Sequence, residues 1–251
     1  MKLSERNYRL LQTLILAGMG VYLLVKILGG TLYFYINDRF LWLVATGAAI
    51  FMLLALAAFR RWRAAGDHAH HDHAHTHHGH SHGSRWSLLI VALPLVLGFL
   101  VPAKPLDSGA LAARGISTNL GAGSGGGQAT QLSVPADQRS ILDWVRAFNY
   151  SADPSELAGE SANVVGFVYH DPRLPANQFL VSRFTVTCCV ADAFAVGIIV
   201  ESEDAANWAG NEWVHVQGTI AVASLDGNPA PLVLAEDIKP VPVPPQPYLF
   251  P

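Results

Sequence analysis

Hydrophobic residues fill the first hundred positions in long runs, then give way to short stretches that alternate with polar residues. The first run covers residues 8–28, which as a helix extends about 31 Å, enough to cross a hydrocarbon core. Lys26 lies near its end, where a long side chain can reach the interface. The second run covers residues 40–59, with Trp42 at one edge and Arg60, Arg61, Trp62 and Arg63 at the other. The short connection over 29–39 makes the two a helical hairpin. A cleaved signal peptide is not expected, because the first run is too long and a second follows at once. A third run, 86–101, extends only about 24 Å as a helix and contains Pro94. It is expected to cross as a short helix; a re-entrant or interfacial segment is the alternative.

Past residue 133 the period changes. Ile141, Leu142, Trp144, Val145 and Phe148 share one face of a short helix, with Asp137 as a cap near its start. Five period-two runs follow, at 163–170, 179–189, 196–201, 213–223 and 232–241, with a short helical candidate at 203–208. Five strands with a helix between the third and fourth predict a small β-barrel of the oligonucleotide/oligosaccharide-binding (OB) type; a small sandwich or roll is the alternative. In the second strand Leu180, Ser182, Phe184, Val186 and Cys188 are expected to face the core. Val181, Arg183, Thr185, Thr187 and Cys189 are expected on the more polar side.

The fold class is therefore a membrane α-helical N-terminal part with three transmembrane helices, followed by a small OB-like C-terminal β-barrel. Residues 1–103 form the transmembrane region, 104–133 a flexible linker rich in Gly, Ala and Ser, and 134–251 the β domain. Only 14% of the 251 residues are charged, against about 25% in an average soluble chain. Basic residues cluster before the first span and around the second loop. By the positive-inside rule the N-terminus and that loop are cytoplasmic, and three spans put the β domain outside. Residues 131–251 hold 5 Lys/Arg against 14 Asp/Glu, which argues against a nucleic-acid partner.

Two features carry candidate chemistry. The loop at 67–82 holds nine of the eleven histidines: His68, His70, His71, His73, His75, His77, His78, His80 and His82. Neutral imidazoles suit Zn and other transition-metal ions, with Asp67 and Asp72 as added oxygen ligands. A solvated low-complexity loop with incidental affinity is the plain alternative. The second feature is Cys188-Cys189, the chain's only cysteines, with Asp192 three residues on. Thiolates suit Zn and Cu(I), so these three residues are expected as a metal site. An ideal strand would point the two sulfurs apart; a bulge or strand end is needed for them to converge. A packed Cys188, a vicinal disulfide and an Arg183–Asp192 ion pair are the competing readings. His170 or His215 could serve a nucleophilic cysteine as base, but no orienting group or cofactor motif accompanies them, so an enzyme is not expected.

The segments Arg183-Phe-Thr-Val-Thr-Cys-Cys-Val-Ala-Asp-Ala193, Trp213-Val-His-Val-Gln-Gly218 and Pro247-Tyr-Leu-Phe250 resemble the YcgQ-like family of bacterial membrane proteins. So does the stretch from Leu93 to Ser108. The resemblance covers most of the chain. It implies an accessory subunit of a two-component permease, a separate multi-span permease as partner beside membrane lipid, and a link to metal homeostasis. A structural envelope protein whose OB-like domain binds another protein is the alternative function.

Overall fold

The computed structural model describes residues 5–67, 85–116 and 134–251. The histidine run from His68 to His82 lies outside the described residues, as do positions 117–133 of the expected linker. Two compact units emerge: Met1–Leu32 with Asp38–Lys104, and Tyr33–Asn37 with Pro105–Pro251.

Among its described residues the first unit holds three α-helices, α1 (Glu5–Leu28), α2 (Leu41–Asp67) and α3 (Arg85–Leu100). The first two are long and apolar enough to cross a membrane; the apolar stretch of the third, Leu88–Leu100, is shorter. Large apolar side chains stand exposed on all three, among them Leu14, Trp42, Leu53, Ile90 and Phe99. In water such a surface would aggregate; in lipid it is the solvated face. Small residues set the helix contacts. A Cβ on Gly20 of α1 would meet the Met52 side chain of α2, and one on Gly18 would meet Leu95 of α3. Gly98 gives room to the Tyr22 ring, which packs edge-on against Phe99 at 5.1 Å. Gly47 of α2 has open space around it.

The second unit holds α4 (Ser108–Arg114), α5 (Ile141–Tyr150) and strands β1 (Ser161–Tyr169), β2 (Gln178–Thr185), β3 (Phe194–Glu201), β4 (Trp213–Leu225) and β5 (Asn228–Pro240). The five-stranded sheet closes on itself in the order β1-β2-β3-β5-β4, all pairs antiparallel except β3 with β5. Ser140, rather than Asp137, caps α5: its hydroxyl accepts from the Asp143 N–H while Asp143 accepts from the Ser140 N–H. The apolar face of α5 joins Val164, Phe179, Val181, Val196, Ile198, Val214, Val216 and Val233 in the main core. The helix expected at 203–208 is a single 3-10 turn, Ala205–Asn207. Strand β5 starts at Asn228, four residues before the expected 232. Asp226 and Gly227 both take positive φ (54° and 81°), so this Asp-Gly pair makes a two-residue hairpin and the ladder runs up to it.

The expected division of β2 into a core face and a polar face does not hold. Val181 and Thr185 are as fully buried as Leu180, Ser182 and Phe184. Val181 faces the main core beside Val196 and Ile198, and the opposite face, with Leu180 and Phe184, is covered by the supposed linker, whose first part is folded. Asp107 caps α4 by accepting from the Gly109 and Ala110 N–H groups. Leu111, 1% exposed, inserts among Phe167, Phe184, Ala195, Trp213 and Tyr248. Ile116 then pairs with Ala195 at the flank of β3 and packs beside Leu180 and Ile199. Residues 105–116 thus cover the outer face of β2 and β3 and belong to the β-rich unit.

Candidate functional site

Strand β2 ends at Thr185, before the two cysteines, and a 3-10 turn over Val190–Asp192 follows them. The chain therefore leaves the ladder between the thiols' last possible partner and the turn, and alternation no longer forces the sulfurs apart. They lie 3.7 Å from each other. Cys188 is exposed and Cys189 half-exposed. A ligand atom of Asp192 completes the group, with all three ligand atoms within 4.8 Å of one another. Asp192 also builds the turn: its two oxygens accept from the Thr187 N–H at 3.0 Å and the Cys188 N–H at 2.8 Å.

Two further segments brace this turn. Tyr33–Asn37, the connection between α1 and α2, belongs to the β-rich unit and runs alongside the cysteines. Ile36 pairs antiparallel with Cys189, the Asn37 N–H donates to the Cys188 carbonyl at 3.0 Å, and the Val190 N–H donates to the Tyr35 carbonyl at 2.9 Å. The Asn37 amide, buried at 2% exposure, donates to the Thr187 carbonyl at 3.0 Å. From the other side the C-terminal tail pairs with the end of β2. The Leu249 N–H donates to Phe184 and its carbonyl accepts from Val186. Tyr248 ties the pieces together, its hydroxyl donating to the Phe34 carbonyl and accepting from the Leu106 N–H.

The electrostatics follow from these bonds. The Cys188 thiol is pushed up to about 11, first by its hydrogen bond to Asp192 and then by that with Cys189. Burial works to raise the Asp192 carboxyl, but the Cys188 thiol and the backbone N–H groups of Cys188, Thr187 and Cys189 outweigh it and hold the acid below the usual carboxylate range. Without a bound cation, then, Cys188 is a protonated thiol beside an ionised carboxylate.

Other candidates sit elsewhere. His170 bonds through Nε2 to the Trp208 carbonyl at 2.8 Å, and His215 bonds to the Asn163 side chain. Among the described residues neither histidine joins the Cys188–Cys189–Asp192 group. Arg183 does not pair with Asp192. It donates to the carbonyls of Gln246, Pro247 and Tyr248 and stacks over the Trp213 ring, and burial pulls its guanidinium down to about 10. The sequence offered no sign that Asn37 and Tyr248 support the site, since the contacts join segments about 150 and 214 positions apart.

Comparison with known proteins finds two family domains along the chain. The DUF1980 N-terminal domain matches residues 11–117 and the DUF1980 C-terminal domain residues 138–251. A Streptococcus mutans protein named "Putative two-component membrane permease complex subunit" is 28% identical over 85% of this chain and 88% of its own length. The UPF0703 protein YcgQ of Bacillus subtilis is 30% identical over 41% of this chain and 36% of that protein. A small single-stranded DNA-binding protein from Streptomyces coelicolor aligns with 33% of this chain and 93% of its own, at 16% identity and a TM-score of 0.23. Both domains being matched in order along nearly the whole length, the chain belongs to the DUF1980 family, alongside YcgQ.

Proposed function

We propose that this chain is the accessory subunit of a two-component membrane permease for a transition-metal ion, with three transmembrane helices and an OB-like barrel held outside the cytoplasm. The observation that carries the topology is that Tyr33–Asn37 is part of the β-rich unit. These five residues join α1 to α2, so they lie on the far side of the membrane from the start of α1 once α1 has crossed. This membership supports a barrel on that same side. Helix α2 returns the chain to the first side, and only a crossing by α3 brings it back to the barrel. At 16 residues α3 extends about 24 Å, short of a full hydrocarbon core of about 30 Å. Local thinning of the bilayer accommodates such a mismatch at modest cost. The basic residues Arg6, Arg9, Arg60, Arg61 and Arg63 then put the histidine run, His68 to His82, in the cytoplasm.

Large apolar side chains face outward on all three helices, and among the described residues they line no polar path, so the partner would supply it. The Streptococcus mutans relative's name supports that partner. Nucleic acid is a poor candidate ligand, because the outer face of β2 and β3 is covered by Leu111 and Ile116 of the same chain. Co-expression of the full chain with its cognate multi-span permease, followed by purification in mild detergent, tests the proposal. Stoichiometric co-purification is expected. A chain that elutes alone under those conditions favours the structural envelope reading instead.

A further inference from the structure

We infer that Cys188, Cys189 and Asp192 form an open three-ligand site for a thiophilic d10 ion of the Zn(II) type, placed on the barrel so that the fourth ligand comes from outside this chain. The inference rests on the transition-metal reading above and names the site at which the ion is held outside the membrane.

The sulfur separation is the first support. A disulfide would need about 2.05 Å between the sulfurs. Two thiolates each about 2.3 Å from one tetrahedral zinc lie about 3.8 Å apart, close to the 3.7 Å found here. The Asp192 oxygens already accept one backbone N–H each. The carboxylate also accepts from the Cys188 thiol, and the lone pair that this thiol occupies opens to a cation when its proton leaves.

The second support is that the turn is held from three sides yet exposed at its tip. Ile36 and Asn37 bond the backbone on one flank, Leu249 bonds it at the end of β2, and Asp192 ties it internally. Preorganised ligands on a braced backbone are what a metal site requires. A packing role fails for Cys188, which is exposed. Among the described residues no fourth ligand joins the three, and His170 and His215 are engaged elsewhere. Structural zinc sites fill all four positions from the protein, whereas sites that exchange or activate a ligand leave one open. An exposed Cys-Cys-Asp set with its fourth position open suits receipt and release of the ion. Loading replaces the two thiol protons, which pass to solvent, and involves no change of oxidation state.

The test uses the full chain in detergent with the nine loop histidines replaced by serine, so that the loop cannot compete, and cobalt(II) as the optical probe. Reduced protein should bind one equivalent, with a thiolate-to-cobalt charge-transfer band and the visible bands of tetrahedral cobalt, and zinc should displace it. Cys188→Ser with Cys189→Ser should remove the charge-transfer band. Asp192→Asn should keep the band but weaken binding at least tenfold, and added imidazole should shift the visible bands by entering the fourth position. Thermal unfolding and co-purification with the permease, run on the same variants, separate loss of the site from loss of the fold or of the partnership. Charge transfer absent from the reduced protein, or surviving in the double serine variant, overturns the site. Visible bands indifferent to imidazole overturn its open position.

Discussion

Asn37 is the most informative residue to change, because it joins a helix-to-helix connection to the cysteine turn. Its amide donates to the Thr187 carbonyl at 3.0 Å, and the residue is 2% exposed. Asn37→Ala deletes that bond but leaves the backbone bond to Cys188 in place. Thr187 is itself exposed, so water partly replaces the donor and the loss is about 1 kcal/mol, about a fivefold change in the opening equilibrium. Asn37→Asp is nearly the same size but sets a carboxylate oxygen against a carbonyl oxygen in a buried position. Adding charge burial to the lost bond raises the cost to about 3 kcal/mol, more than a hundredfold. Hydrogen–deuterium exchange of the full chain in detergent reads this at the Val190 amide, which donates to the Tyr35 carbonyl. Exchange there should accelerate modestly in the alanine variant and far more in the aspartate variant, while β4 and β5 stay protected. Equal protection of Val190 in wild type and both variants would refute the docking of this connection onto the barrel.

Leu111→Ala should destabilise the β-rich unit by about 2–5 kcal/mol, read by thermal unfolding, because the leucine fills a pocket between Phe184, Trp213 and Tyr248 and is 1% exposed. By the same reasoning a fragment beginning at residue 134 should melt below one beginning at residue 105. Gly218→Ala should cost about 1–3 kcal/mol, since a Cβ there would run into the Leu234 carbonyl at the β4–β5 register shift and only backbone could give way. The Asp171 carboxyl is held below its usual range, chiefly by the Arg173 hydrogen bond, so its contribution to stability is complete above about pH 4 and is lost as pH falls through the lowered value. In Asp171→Asn the acid side of a melting-temperature profile should flatten.

What the sequence made legible was periodic and local. Runs of apolar residues the length of a bilayer found α1 and α2, and alternation found all five strands, because each signal repeats within one element. The convergence of Cys188, Cys189 and Asp192 was open to sequence reasoning because it needed only a strand end beside three neighbouring residues. Long-range partners were not legible. Residues 105–116 have the composition of a linker, and only the groove beside Phe184 and Trp213 turns Leu111 into core. Val181 faces the main core and the same cover buries the opposite face of β2, so the polar face assigned to Val181 and Thr185 was an inference from one strand without its surroundings. Gly218 and the Pro247–Phe250 tail stood out as motifs, but their reasons, a close carbonyl and a pairing with the end of β2, lie in the tertiary contact.

The chain's own cysteines test whether the barrel stands outside the cytoplasm on three crossings. Cys188 and Cys189 are its only thiols, and both belong to the β-rich unit. Intact cells expressing the full chain, treated with a reductant and a chelator to free the thiols, are exposed to a membrane-impermeant maleimide. Labelling of the chain in intact cells, absent from the Cys188→Ser, Cys189→Ser variant, is the predicted result. Labelling that appears only after the membrane is broken would place the barrel in the cytoplasm and contradict the account.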